Sequence, residues 1–125
     1  MSYGCKDDWN KKNYLYRNTI SDFDIMIKNI YNGFIRIHIL YHATKEQICG
    51  IEIMKELRRH GYTVSPGTVY PILHKMSNNK LLVPHNEIID GKRRIYYKAT
   101  SQGKKVLDQT REKIKELYDE VILNE

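Results

Sequence analysis

Residues 61–73, Gly-Tyr-Thr-Val-Ser-Pro-Gly-Thr-Val-Tyr-Pro-Ile-Leu, constrain the fold of this chain more than any other stretch. Ser65 is a strong helix N-cap, and Pro66 suits the first helical position because its missing N–H would be unpaired there anyway. Gly67, Thr68 and Tyr70 then fall in the first turns, where backbone N–H groups and hydroxyls can meet a phosphate. Pro71 removes a donor and crowds the carbonyl four residues back, which belongs to Gly67, so this helix start is expected to be strained or specially packed. A short helix that opens on small, hydroxylated residues suits close approach to a large anionic partner.

The flanking pattern is helical upstream. Ser21 and Asp24 have the spacing of a capping box, with Asp in place of Glu. Ile30, Phe34, Ile37 and Tyr41 recur as one apolar stripe, widened by Ile35 and Ile39, which predicts a helix central to the core, with Asn32-Gly33 as a point where it can split. Residues 44–47 read as a polar connection. A second helix is predicted over residues 48–60, with Ile48, Ile51, Ile53, Met54 and Leu57 inward, and Gly61 as the left-handed residue that stops it. The third helix runs from Pro66 to about Asn78. Val69, Ile72, Leu73 and Met76 form its buried face, and Thr68, Tyr70, His74 and Lys75 lie on or near the other side.

Downstream, Asp90-Gly91 separates two strand-like runs, residues 80–88 and 93–99, which is a strong hairpin signal. Lys92, Arg93 and Arg94 give that hairpin a cationic tip. In the second run Ile95, Tyr97 and Ala99 alternate with Arg94, Tyr96 and Lys98, so one tyrosine should pack under the hairpin and the other face outward; the pattern does not say which. A helix followed by a hairpin with a basic tip is the layout of a winged helix-turn-helix. The expected fold class is therefore mainly α with a small β-hairpin wing, and a long C-terminal helix.

At this point the chain resembles the PadR family of transcriptional regulators. The resemblance rests on residues 61–74, on Leu81-Leu82, on residues 90–97 and on Thr100-x-x-Gly103, and it extends from about Asn32 to the C-terminus. The Ser-Pro-Gly-Thr-x-Tyr-Pro motif within it is far more specific than a bare helix-turn-helix pattern. One position departs from the family: the residue before Leu81-Leu82 is usually glycine and is Lys80 here. Asn79 tolerates the left-handed conformation and is expected to end the helix one residue early.

Thr100 is expected to cap a last helix running to about Leu123. Leu107, Thr110, Ile114, Leu117 and Val121 are spaced three, four, three and four, an a/d seam with one polar position. A narrow apolar stripe on an otherwise charged helix favours pairing with a second copy over docking on its own domain. The resemblance implies the same, since PadR regulators dimerise through the C-terminal helix. Two heptads are short for a free-standing coiled coil, so the first helix and the leader are expected to join the interface. The expected organisation is a leader over residues 1–20, a DNA-binding domain over 21–100 and a dimerisation helix over 101–125. Tyr3, Trp9, Tyr14 and Tyr16 punctuate the leader; they are read as docking on the body or a partner, with an effector pocket as the sharper alternative.

The chain has 125 residues, enough for one core, and a net charge of +6. Six cations against two anions lie between Ser65 and Lys98, so much of the surplus sits on the candidate binding edge. Such a surplus favours nucleic acid or an anionic membrane surface. The longest apolar stretch, residues 34–41, is too short to span a bilayer and is broken by Arg36 and His38. The N-terminus lacks an apolar signal segment, and Cys5 and Cys49 form no disulfide framework, which suits a reducing cytoplasm. There is no Gly-rich phosphate loop, no Gly-x-Ser-x-Gly and no His-Glu-x-x-His, and Ser65 has no telling His or carboxylate partner, so no enzymatic activity and no cofactor are expected.

The predicted DNA-binding set is Ser65, Gly67, Thr68, Tyr70, His74, Lys75, Lys92, Arg93 and Arg94; the predicted dimerisation set is Leu107, Ile114, Leu117 and Val121. The third helix would enter the major groove of double-stranded DNA, with Thr68 and Tyr70 as positioning contacts, His74 and Lys75 further along, and the wing cations on phosphates or in the minor groove. No bidentate base reader stands out on that helix, so no operator sequence is deduced. The resemblance implies a cytoplasmic homodimer that represses transcription at a palindromic operator and is relieved by a small-molecule effector. Two competing classes remain. One is a winged helix kept only for protein interaction. The other is a metal- or redox-responsive regulator, suggested by His38 and His42 at i, i+4 with Cys49 soon after; the ordinary reading is that the histidines flank a buried stripe and Cys49 is a small core residue, so no metal is assigned.

Overall fold

The computed structural model describes residues 21–124. The aromatic leader residues Tyr3, Trp9, Tyr14 and Tyr16 lie outside the described residues. The element order is α1 (Asp22–Lys45), β1 (Ile48–Cys49), α2 (Gly50–Arg59), α3 (Pro66–Asn78), β2 (Leu82–Ile89), β3 (Lys92–Ala99) and α4 (Ser101–Tyr118), which passes into a π-helical stretch, Asp119–Leu123. The strands form one antiparallel sheet in the order β1-β3-β2. This is a winged helix-turn-helix. The described residues divide into two units after Phe34, and everything argued below about the site lies in the second.

α1 opens as its sequence dictates. Asp24 N–H donates to Ser21 Oγ at 3.1 Å, and the Ser21 hydroxyl donates to Asp24 Oδ2 at 2.7 Å. The helix continues without a break through Asn32-Gly33. Its buried residues are Ile35, Ile39, Leu40 and Ala43, whereas Ile30, Phe34 and Tyr41 of the predicted stripe are exposed. Two apolar stripes run side by side on this helix, and periodicity alone does not say which one the core covers.

Ile48 and Cys49 belong to a short strand rather than to the second helix, because they pair with Tyr97 and Tyr96 of β3. α2 therefore begins at Gly50. Glu52 reaches back from the third helical position to accept the Cys49 N–H at 3.1 Å. Ile53, Met54 and Leu57 are buried as expected, but Ile51 is exposed. The stop at Gly61 is as predicted: it has φ +92°, its N–H donates to Arg58 O at 2.9 Å and the Tyr62 N–H to Leu57 O at 3.0 Å, the two bonds of a Schellman cap.

Val69, Ile72, Leu73 and Met76 of α3 are all buried, and with Ile39, Ile53, Leu57 and Leu82 they make the centre of the core. Each such side chain contributes about 1.5–3 kcal/mol by leaving water. At the other end of α3 the expectation for Asn79 is corrected. Asn79 has φ −89°, and the left-handed residue is Lys80 itself, at φ +64°. Lys80 N–H donates to Ser77 O and Leu81 N–H to Met76 O, both at 3.0 Å, so this is a second Schellman cap in which lysine occupies the usual glycine position.

The wing turn has Asp90 at φ +52° and Gly91 at φ +75°, with Ile89 paired to Lys92. Two consecutive positive φ values make a type I′ turn, whose twist matches the flanking strands. Neither tyrosine of the pair faces outward: opposite Cys49 and Ile48 of β1, Tyr96 is 9% exposed and Tyr97 5% exposed. Leu107 is 3% exposed and sits in the domain's own core, so of the predicted seam only Ile114, Leu117 and Val121 form an exposed stripe. Among the described residues no helix is long and apolar enough to cross a membrane.

Candidate nucleic-acid interface

α3 starts with Ser65 in an extended conformation and Pro66 in the first turn, as the sequence requires. Ser65 accepts through its backbone carbonyl, from Thr68 N–H at 3.0 Å and Val69 N–H at 3.1 Å, while its hydroxyl makes no capping bond. The side chain of Ser65 is thus exposed beside Gly67 rather than consumed by the helix end. An added Cβ on Gly67 would meet only Ser65 Oγ, at 3.7 Å, so the glycine leaves this end of the helix low and open. The buried face of α3 leaves Tyr70, His74 and Lys75 exposed, and Thr68 half-buried.

Tyr70 is 40% exposed, yet its ring is held in place. It lies against Gly50, the first residue of α2: a Cβ there would come within 2.6 Å of Cε1 and 2.9 Å of the phenolic oxygen. Any side chain at that position would displace the ring. The hydroxyl of Tyr70 is therefore brought to the N-terminal end of α2, where unpaired N–H groups and the helix dipole favour an anion. Tyr97 stands close by, its phenol pushed up by burial and then by Tyr70.

These groups line an open cleft of about 400 Å³. One wall is Cys49 of β1 with Gly50 and Ile51 of α2, its α3 wall is Tyr70 and His74, and its wing wall is Arg93, Arg94, Ile95 and Tyr97. Alternation along β3 puts Arg93, Ile95 and Tyr97 on one face of the strand. Arg93 Nε–H donates to Asn86 Oδ1 across the hairpin at 3.3 Å, which steadies the guanidinium on the wing. The cleft is thus a cationic wall facing a helix N-terminus, with a phenol between them.

Of the predicted DNA-binding residues, the structure brings Tyr70, His74, Arg93 and Arg94 into this one cleft. Ser65, Gly67 and Thr68 stand at the start of α3, and Lys75 and Lys92 are exposed outside the cleft lining. Sequence reasoning missed Gly50, Ile51 and Tyr97. The usable signal was Glu52, three residues after Cys49, which marks a helix beginning at Gly50 and not at Ile48.

Cys49 does not join His38 and His42. It caps the opposite end of α2 from His60, about 15 Å away along the helix, and His60 is the residue beside the two histidines. Burial pushes the Cys49 thiol up from its ordinary value, with Glu52 as its polar neighbour. Burial, helped by His60 and His42 and opposed by Glu56, holds His38 below the usual imidazole value.

The comparisons with known proteins bear on the family and the fold. The family model of the PadR-like transcriptional regulators matches residues 39–109. A transcriptional regulator of Mycobacterium tuberculosis is 43% identical over 88 residues, covering 70% of this chain and 82% of that protein. A transcriptional activator of Haloferax mediterranei is 34% identical over 77 residues, 61% of this chain and 36% of that protein. Among solved structures, a PadR-like transcription factor from Bacteroides fragilis superposes with a TM-score of 0.68 at 29% identity, covering 78% of this chain and 96% of that one. A winged helix whose residues 39–109 match the family model, and a relative 43% identical over most of its own length, place the chain in the PadR-like family of DNA-binding transcriptional regulators.

Proposed function

We propose that the protein is a homodimeric repressor that reads a rough palindrome by placing two α3 helices in successive major grooves on one face of the duplex. The observation that carries this reading is the convergence of Tyr70, the N-terminus of α2 and the Arg93–Arg94 wall in one cleft. A cleft of that composition fits a backbone phosphate, which sets register without carrying sequence. With the phosphate seated there, the start of α3 meets base edges through Thr68, His74 and Lys75, and the wing lies along the neighbouring backbone.

The dimer is supported by what α4 leaves uncovered. Ile114, Leu117 and Val121 are exposed on one stripe, and the π-helical end adds Ile122 and Leu123. Such a stripe on a charged helix is stabilised by a second copy, and two-fold symmetry then matches an operator palindrome. In this reading the dimer represses by occupying promoter DNA and excluding polymerase.

The test is fluorescence anisotropy with the DNA upstream of the protein's own gene, beside a scrambled duplex, at two salt concentrations. Preferential binding that weakens steeply with salt is expected, since displaced counterions set the slope. Equal or absent binding to both duplexes would overturn operator reading at that site. Transcription in vitro from the same promoter should fall on adding protein; a rise would replace repression by activation.

A further inference from the structure

We propose that His38, His42 and His60 form a binding site for one divalent transition-metal cation of the zinc type, which clips α1 to the C-terminal end of α2. His38 and His42 are one turn apart on the same face of α1. His60 is the C-cap of α2, immediately before the left-handed turn at Gly61. One donor atom from each of the three residues lies within 4.8 Å of the others. A tetrahedral ion with Zn–N bonds of about 2.0–2.1 Å needs donors about 3.4 Å apart, so small side-chain rotations close the set.

The surroundings fit that use. The rings of His38 and His60 stack at 4.6 Å with their planes 25° apart, which brings the two imidazoles together face to face. Tyr62 packs against His38 in a T-shaped arrangement at 5.5 Å. His38 and His42 are half-buried and His60 is exposed, which leaves an approach for the ion and a fourth position open to water. Glu56 Oε2 stands 3.7 Å from His42 Nε2 and is itself held by Arg59 at 2.8 Å. A carboxylate there supplies the negative charge that three neutral imidazoles lack, and such outer partners raise affinity by about ten- to a hundredfold. An all-imidazole set selects Zn²⁺, Cu²⁺, Ni²⁺ or Co²⁺ over Mg²⁺ and Ca²⁺. His60 adjoins the turn that leads into α3, so an ion here holds the joint between the two helices of the helix-turn-helix.

The experiment is calorimetric titration of the full chain with Zn²⁺, and with Co²⁺ followed by its visible absorption, after removal of bound metal with a chelator. Cys5→Ser serves as the parent, so that thiol does not contribute. One ion per chain is expected, with the tetrahedral cobalt bands, and a raised melting temperature in Zn²⁺. His60→Gln, at an exposed position, should fold normally and weaken binding about tenfold or more. His42→Gln should do the same, whereas the double variant His74→Gln, His85→Gln should bind as the parent does. Absence of binding by the parent, an unchanged affinity in His60→Gln, or loss of binding in the His74, His85 variant would each overturn the assignment.

Discussion

Lys80 holds φ at +64°, a conformation that costs an L side chain about 1–2 kcal/mol. Glycine would remove that cost but would also free the unfolded chain, which takes back part of the gain. Lys80→Gly is therefore expected to stabilise the protein by about 0.5–1 kcal/mol, read as a higher urea midpoint with an unchanged slope; a lower midpoint would mean the lysine makes contacts that outweigh its backbone cost. Tyr70 poses the converse problem, a side chain fixed by packing but kept half-open for use. Its ring is set by Gly50 and its hydroxyl by the ring. Tyr70→Phe keeps the ring and deletes the hydroxyl, so circular dichroism should be unchanged while DNA affinity falls about tenfold, the worth of one hydrogen bond to a charged group. Unfolding of that variant would show that the phenol serves the fold and not the duplex.

At the scale of elements, α4 is latched to the entrance of the wing. Thr100 Oγ1 accepts from Gly103 N–H at 3.0 Å and donates to Lys80 O, and Thr100 N–H donates to Leu81 O at 3.1 Å. The latch needs the helix backbone pressed onto Leu81, and a Cβ at Gly103 would lie 2.2 Å from its carbonyl oxygen. Gly103→Ala is expected to cost about 1–3 kcal/mol of stability, measured by urea unfolding, because backbone has to move. A neutral result would mean α4 pivots freely at its start. The wing makes the complementary case, since its cations carry charge and little packing. Arg93→Ala should weaken binding to every duplex alike and flatten the salt slope by about one ion, with no change in melting temperature. A loss confined to one sequence would instead make Arg93 a base reader. These elements were legible where a local signal fixed them: Ser65-Pro66 for the start of α3, Gly61 for the end of α2, and Asp90-Gly91 for the wing turn. They were illegible where two elements distant in sequence decide. Periodicity groups Ile30 with Phe34 and Ile35 with Ile39, but packing chose the second pair; it groups Leu107 with Leu117, but the core took Leu107.

For the whole molecule the same limit applies to the site. The third wall of the cleft and the third histidine of the cluster both come from the ends of α2; the sequence placed its stop at Gly61 but not its start at Gly50, and it did not name its neighbours. Charge was legible at this scale because it is a property of composition: a net +6, concentrated on the α3–wing edge, needs no contact map. Assembly is the remaining question, and α4 frames it. Leu117 is 54% exposed, in a stripe with Ile114 and Val121 that the exposed Tyr118, Ile122 and Leu123 widen at the helix end. If that stripe is the seam of a two-fold dimer, an aspartate at its centre is buried twice in each dimer, facing apolar side chains and its own symmetry mate. That arrangement leaves two carboxylates without partners, at about 3 kcal/mol or more per dimer, which is roughly a hundredfold in dissociation constant. Leu117→Asp should then sediment as a monomer at concentrations where the parent is a dimer. Because Leu117 contributes nothing to the core around Leu107, its melting should stay cooperative. The monomer keeps each cleft intact, so binding to an isolated half-site should persist at its weak intrinsic affinity. Binding to the full palindrome should fall by about two orders of magnitude or more, since the second half-site is no longer held at high effective concentration. A variant that remains dimeric would move the interface off α4, and one that is monomeric yet binds the palindrome fully would remove the dimer from the mechanism of recognition.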